Sequence, residues 1–264
     1  MSTLSATGHT RENGVLFDDL DVARCYAHRA PYAPALYDHL LTLVPGRTRA
    51  LDLGCGPGKI AKALAPHFQT VEALDPSAAM IAIGREDAPP NVDWITAGAE
   101  VGIGTGPYDL VTAGASLHWM DHSIVFPKLA ACLEPGGVMA IINGDDAFDP
   151  PWAEEMKDFL TRWLARLGRT YSPAAFNAEL TSYQRWFDIQ GEQGFTYEHT
   201  ETIAGYIACQ HSRATWTRTV MGEKLAHEFD EDLALTLAPF TRAGRLHFQV
   251  KSSLVWGTPR TTLS

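Results

Sequence analysis

The chain has 264 residues, 45% of them hydrophobic and 20% charged, with a net charge of −10. That is the balance of a soluble globular protein with room for one large α/β domain carrying an inserted cap, or two small domains. An acidic chain without a Lys/Arg cluster argues against a nucleic-acid or anionic-membrane partner, and no apolar run reaches the ~18 residues of a membrane span.

Residues 1–13 are polar and are expected to form a disordered tail. No apolar signal segment is visible there. The cysteines at 25, 55, 132 and 209 have neither C-x-x-C nor zinc spacing, so a cytoplasmic protein without a metal site is expected. Phe17 to Ala30 reads as a first helix and Pro34 to Leu43 as a second, with Leu36, Leu40 and Leu43 on one face. Residues 50–58, ALDLGCGPG, read as a buried strand entering a glycine loop, and Lys59 to Phe68 as the helix that follows. Further strands are expected at Val71–Asp75, ending near Thr96, at Tyr108–Thr112 and at Val138–Asn143. Alternating strands and helices predict a doubly wound parallel sheet, with residues 14–144 as its core.

After Asn143 the pattern changes. Residues 145–151 carry chain breakers, Trp152 to Leu167 is strongly amphipathic, and Pro173 to Phe187 suggests further helix. Residues 145–192 are read as a helical cap over the active site, with Trp152, Trp163, Tyr171, Tyr183 and Trp186 as its aromatic residues. The core is expected to finish over 193–264: a strand at Phe195–Glu201, helices at Ile203–His211 and Glu223–Leu237, and a closing strand at Leu246–Trp256.

Strand, glycine loop and helix in succession hold a nucleotide-like cofactor at the carboxyl end of a parallel sheet. Gly54, Gly56 and Gly58 make G-x-G-x-G, neither the dinucleotide fingerprint nor a P-loop. Asp52 ends the strand before the loop, and a carboxylate there suits a ligand with a cationic end. Asp75 lies about 20 residues beyond the loop, where a strand-end carboxylate meets ribose hydroxyls; it could instead serve the start of the helix near Ser77. Cys55 is read as a small filler within the loop.

The D-x-G-x-G-x-G run from Asp52 to Gly58 resembles motif I of the class I S-adenosylmethionine (SAM)-dependent methyltransferases. Asp75-Pro76-Ser77, Ala99-Glu100, and the Leu133-Glu134-Pro135-Gly136-Gly137 turn are similar to further elements of that family in the same order. Ala115-Ser116-Leu117-His118-Trp119 and Asp121 resemble small-molecule members like trans-aconitate methyltransferase. The resemblance implies an α/β Rossmann-like, doubly wound, seven-stranded and mostly parallel sheet with N-terminal helices and a cap after strand five. Its last strand would run antiparallel between the fifth and sixth.

The resemblance further implies SAM as cofactor, bound by Asp52, Gly54, Cys55, Gly56, Gly58, Asp75, Pro76, Ala99, Glu100, Ala115 and Ser116. Tyr26-Ala27-His28-Arg29-Ala30-Pro31-Tyr32 is similar to the family's N-terminal closing segment, with one residue fewer between Tyr and Arg. Arg29 would there pair with the cofactor's carboxylate. His118 and Tyr26 are the expected catalytic residues, and Trp119, Tyr32 and Trp152 the expected acceptor pocket. The implied activity is methyl transfer to a small organic acceptor. A cyclase or lyase releasing methylthioadenosine, or a non-catalytic SAM-binding protein, would need the same cofactor residues.

Overall fold

A computed structural model of the chain describes residues 15–169 and 181–262. Five parallel strands form the centre: β1 (Arg49–Leu53), β2 (Thr70–Asp75), β3 (Val92–Thr96), β4 (Tyr108–Gly114) and β5 (Leu133–Asn143), in spatial order β3-β2-β1-β4-β5. The long strand β8 (Leu246–Pro259) runs antiparallel beside β5. A two-residue strand, β6 (Ala147–Phe148), continues along the same edge of β8. β7 (Phe187–Glu201) covers the other edge, also antiparallel to β8. The closing strand therefore sits between β5 and β7, the arrangement expected from the sequence with one short strand added.

Alternation along β1 builds two core layers. Leu51 and Leu53 point to the layer of Val125, Phe126 and Leu129, from the helix His122–Cys132. Ala50 points to the opposite layer, with Leu36 and Leu40 of the helix Pro34–Leu43 and Ile60 and Leu64 of the helix Lys59–Leu64. Strand order reverses direction between β1 and β4, so a crevice opens at their carboxyl ends, where open α/β sheets take their ligands.

Several helices lie where their end signals put them. Pro34 occupies the first turn of Pro34–Leu43. Thr202 caps Ile203–His211, accepting from the Gly205 amide. The expected first helix is broken into a turn at Val15–Asp18, a helix at Leu20–Cys25 and a turn at Tyr26–His28. Asp19 restarts it by accepting the Asp21 amide, and Arg29 is extended ahead of Pro31. β7 begins eight residues earlier than its expected start (187 against 195), because its outer face is polar and Gly191 makes room for Trp256 at a bulge.

The expected cap behaves differently. Its helix, Ala153–Arg166, buries Met156, Phe159 and Trp163 against Phe229, Leu233 and Leu237 of the helix Glu223–Leu237, with Trp216 and Phe248 alongside. This is a third core, beside the sheet. Trp152 lies wholly inside it, edge-to-face with Tyr206 and Phe248. Tyr171 and residues 173–180 lie outside the described residues. No described helix is long and apolar enough to cross a membrane.

Phe229 is the hub of the third core, with ring centroids 5.0 Å from Phe159, 5.2 Å from Trp163 and 5.3 Å from Trp216. Phe229→Ala is expected to cost about 3–5 kcal/mol, as large aromatic deletions from full burial do. Urea unfolding followed by tryptophan fluorescence measures it, and a loss well under 1 kcal/mol would contradict this packing.

Candidate functional site

The crevice is built on the turn after β1. Gly54 has φ +62° and Gly56 φ +53°, backbone that side chains disfavour. A Cβ on Gly54 would sit 2.5 Å from the Ser116 Cβ, so the loop packs directly on the turn after β4. A Cβ on Gly56 would meet nothing within 4 Å. Space is thus open where this backbone borders the cavity. Gly58 ends the loop as the N-terminal cap of Lys59–Leu64 and packs on Trp94; it does not border the cavity.

Two buried carboxylates hold this turn. Asp52 is 1% exposed. It accepts from the Thr112 hydroxyl at 2.8 Å and the Ala61 amide at 3.1 Å. Burial drives its pKa up to about 7 against those hydrogen bonds, which pull it down. Asp75 accepts from the Gly56 amide at 2.8 Å and the Ser77 amide at 2.9 Å, and burial raises its pKa too. It therefore grips the glycine loop and braces the next helix at once. Ser77 is the cap proper of Ala78–Arg85, accepting from the Met80 amide.

The remaining walls come from three turns. Pro76, Ala99 and Glu100 border the cavity, with Ala99 buried. The Glu100 carboxylate accepts from the Asp121 amide at 2.8 Å. After β4, Ala115 holds φ +48°, an uncommon conformation for alanine, and the Ser116 hydroxyl donates to Leu53 O at 2.6 Å. Across the opening stand Phe17, Tyr26, Tyr32 and Trp119. Phe17 meets Tyr26 and Trp119 edge-to-face, at 6.0 and 5.6 Å. Burial raises both tyrosine phenols, so they remain protonated near neutral pH.

An ion cluster closes one side. The Lys59 ammonium lies 3.2 Å from an Asp145 oxygen and donates to Ala30 O at 2.8 Å. Arg29 Nη1 lies 3.7 Å from the same oxygen, while Nε and Nη2 donate to Ser212 at 2.7 and 3.1 Å. Its guanidinium stacks 4.1 Å from the Tyr26 ring centroid. Burial pushes the Asp145 carboxyl up, but Arg29, Lys59 and Arg213 together hold it below the usual range.

Most of the expected site residues thus border one cavity: Tyr26, Arg29, Tyr32, Asp52, Gly54, Cys55, Gly56, Asp75, Pro76, Ala99, Glu100, Ala115, Ser116 and Trp119. His118 does not. It sits on the 3₁₀ turn Leu117–Trp119, where successive side chains diverge by about 120°, so Trp119 faces the cavity and Leu117 the core. Trp152 belongs to the third core, and no described residue of 146–192 borders the cavity. Lys59 and Asp145 were missed by sequence reasoning. A lysine in a helix first turn opposes the helix dipole, and that was the available signal.

Residues 50–137 match a family model described as a methyltransferase domain. A trans-aconitate 2-methyltransferase of Variovorax paradoxus is 36% identical over 163 residues, covering 53% of this chain and 63% of that protein. A protein of the same name from Methylobacterium radiotolerans is 33% identical, covering 56% and 66%. The chain spans less than two thirds of the length of these curated relatives. A putative type II methyltransferase from Anaeromyxobacter dehalogenans, solved by others, superposes with a TM-score of 0.68 at 24% identity, covering 87% of this chain and 97% of that one, a likeness of fold.

The raised pKa of Asp52 has a stability consequence. Folded, the group titrates near 7; unfolded, near 3.8. Between those values the folded state keeps a proton the unfolded state has lost, so stability falls as pH rises from about 4 to about 7, then levels. The component is on the order of 2–4 kcal/mol, and Asp52→Asn removes it. Urea midpoints at pH 5 and pH 8 should differ less for D52N than for the wild type; equal differences would refute the assignment.

Proposed function

We propose that this chain is a class I SAM-dependent methyltransferase, a reading supported by the methyltransferase-domain match over residues 50–137, that it binds SAM in the crevice between β1 and β4, and that it transfers the methyl group to a small organic acceptor. The observation that carries the reading is the glycine turn with open space at Gly56, gripped by Asp52 and Asp75. The residues fit such a molecule: two buried acids suit a ligand with a cationic end and vicinal hydroxyls, and the open backbone admits close approach.

Bound there, SAM supplies an electrophilic methyl group on a cationic sulfur. Asp75 would accept the ribose hydroxyls, exchanging its loop amides for charge-assisted bonds to the ligand. Asp52, once ionised, would face the ammonium end. The turn holding Ala99 and Glu100 would border the adenine. Phe17, Tyr26 and Trp119 keep water from the reacting centre, and Trp119 favours a sulfonium by cation–π attraction. Tyr26 stays protonated, so it orients an acceptor by donating a hydrogen bond and does not act as a base. His118 is off the cavity wall, which leaves positioning of two reactants in a dry cleft as the main contribution, on the order of 7–11 kcal/mol in well-aligned cases.

Asp75→Ala should weaken SAM binding by roughly 10- to 100-fold, the value of one or two charge-assisted hydrogen bonds. Calorimetry reads this directly, and unchanged affinity would remove Asp75 from the cofactor site. Wild-type protein incubated with SAM and a metabolite extract should yield S-adenosylhomocysteine by mass spectrometry. Methylthioadenosine in its place would turn the reading to a cyclase or lyase.

A further inference from the structure

The charges around the cavity bear on the class of acceptor, and the argument rests on the reading above. Among the described residues bordering it, Arg29 and Lys59 are cations, and Asp52, Asp75, Glu100 and Asp145 are acids. Both cations converge on one carboxylate oxygen of Asp145, at 3.7 and 3.2 Å. Their remaining hydrogen bonds go largely to protein oxygens: Arg29 to Ser212, Lys59 to Ala30. Arg29, Lys59 and Asp145 together leave a single surplus positive charge. SAM carries one carboxylate of its own, and that carboxylate would use the surplus. Among the described residues no uncompensated cation then remains for a second anion, while three further acids face the same space.

Part of the cavity wall is aromatic. Phe17 joins Tyr26 and Trp119 edge-to-face, a surface that suits an apolar or aromatic body and offers a carboxylate no cation, only the neutral donors of a phenol and an indole. An anion here would be desolvated without a cationic partner, which is costly.

We propose that the acceptor is an uncharged small molecule, and that Asp145 excludes polycarboxylates by filling the anion position between Arg29 and Lys59. This separates the chain from what the name of its curated relatives states, since trans-aconitate is a tricarboxylate. Asp145 acts on selectivity through the two cations it occupies. A unit charge at roughly 5 Å in an effective dielectric of about 20 shifts affinity on the order of 10²-fold. Neutralising it should open the position to a ligand carboxylate.

The test titrates trans-aconitate into protein saturated with S-adenosylhomocysteine. The wild type should give no saturable heat. Asp145→Asn should bind at least about tenfold more tightly, with S-adenosylhomocysteine binding by that variant confirmed in the same titration. Methylation of trans-aconitate by the wild type, or equal affinity in wild type and D145N, undetectable in both included, overturns the proposal. Asp145→Ser, which leaves water between the cations, carries the same expectation should D145N not fold. Binding of S-adenosylhomocysteine to the wild type is measured first. Its absence overturns the methyltransferase reading itself, and the proposal with it, whereas its presence with trans-aconitate bound overturns only the acceptor class.

Discussion

The site depends on a turn that reverses direction directly after a buried strand and leaves its backbone open to a cavity. Such a turn has amides without ladder partners, and a buried amide left unbonded is costly. Two interior carboxylates satisfy them: Asp75 takes the Gly56 amide, and Asp52 takes Ala61 in the first turn of the following helix. Strand register brings these groups level. Leu53 stands opposite Leu74 of β2 and Ala113 of β4, and Asp52 opposite Thr112, whose hydroxyl it accepts. Burying the acids raises their proton affinity, so one arrangement both rigidifies the loop and keeps on Asp52 a proton that a cationic ligand would release.

The C-terminal half supports that site from behind. His211 lies 2.6 Å from both Trp216 O and Asp230, and Arg218 pairs with the same Asp230. These contacts fix the bend after Ile203–His211, and Ser212 on that bend holds Arg29. Position in the third core is thus transmitted to the cavity wall through one serine and one guanidinium. A helical bundle beside the sheet can shape an active site without lying over it.

What was legible in the sequence was local. The strand, glycine loop and Asp75 are tied by short spacings, and helices such as Pro34–Leu43, Ile203–His211 and Glu223–Leu237 carry their boundaries in Pro34, Thr202 and the end of their apolar stripes. What was not legible depended on partners. The stripe of Ala153–Arg166 announces that a face is buried but not against what, and its partner is the helix some 70 residues later. Trp152 looked like a pocket aromatic because burial and pocket lining share one composition. His118 and Trp119 are adjacent, and only the turn's geometry decides which faces inward. Lys59 and Asp145 are 86 residues apart, beyond the reach of any spacing rule.

The start of the helix Ala78–Arg85 ties cofactor wall and entrance segment into one unit. Three acceptors serve its first amides: Asp75 takes Ser77, Asp18 takes Ala78, and the Ser77 hydroxyl takes Met80 while donating to Phe17 O. Asp18 and Phe17 belong to the segment that faces Trp119 across the opening. Any ligand that draws the Asp75 carboxylate toward itself therefore pulls on the same short stretch that anchors Phe17. The acid that would receive the cofactor and the ring that would cover the acceptor are joined through Ser77, whose amide bonds Asp75 and whose hydroxyl bonds Phe17 O, so a change at one is felt at the other without a mobile domain between them.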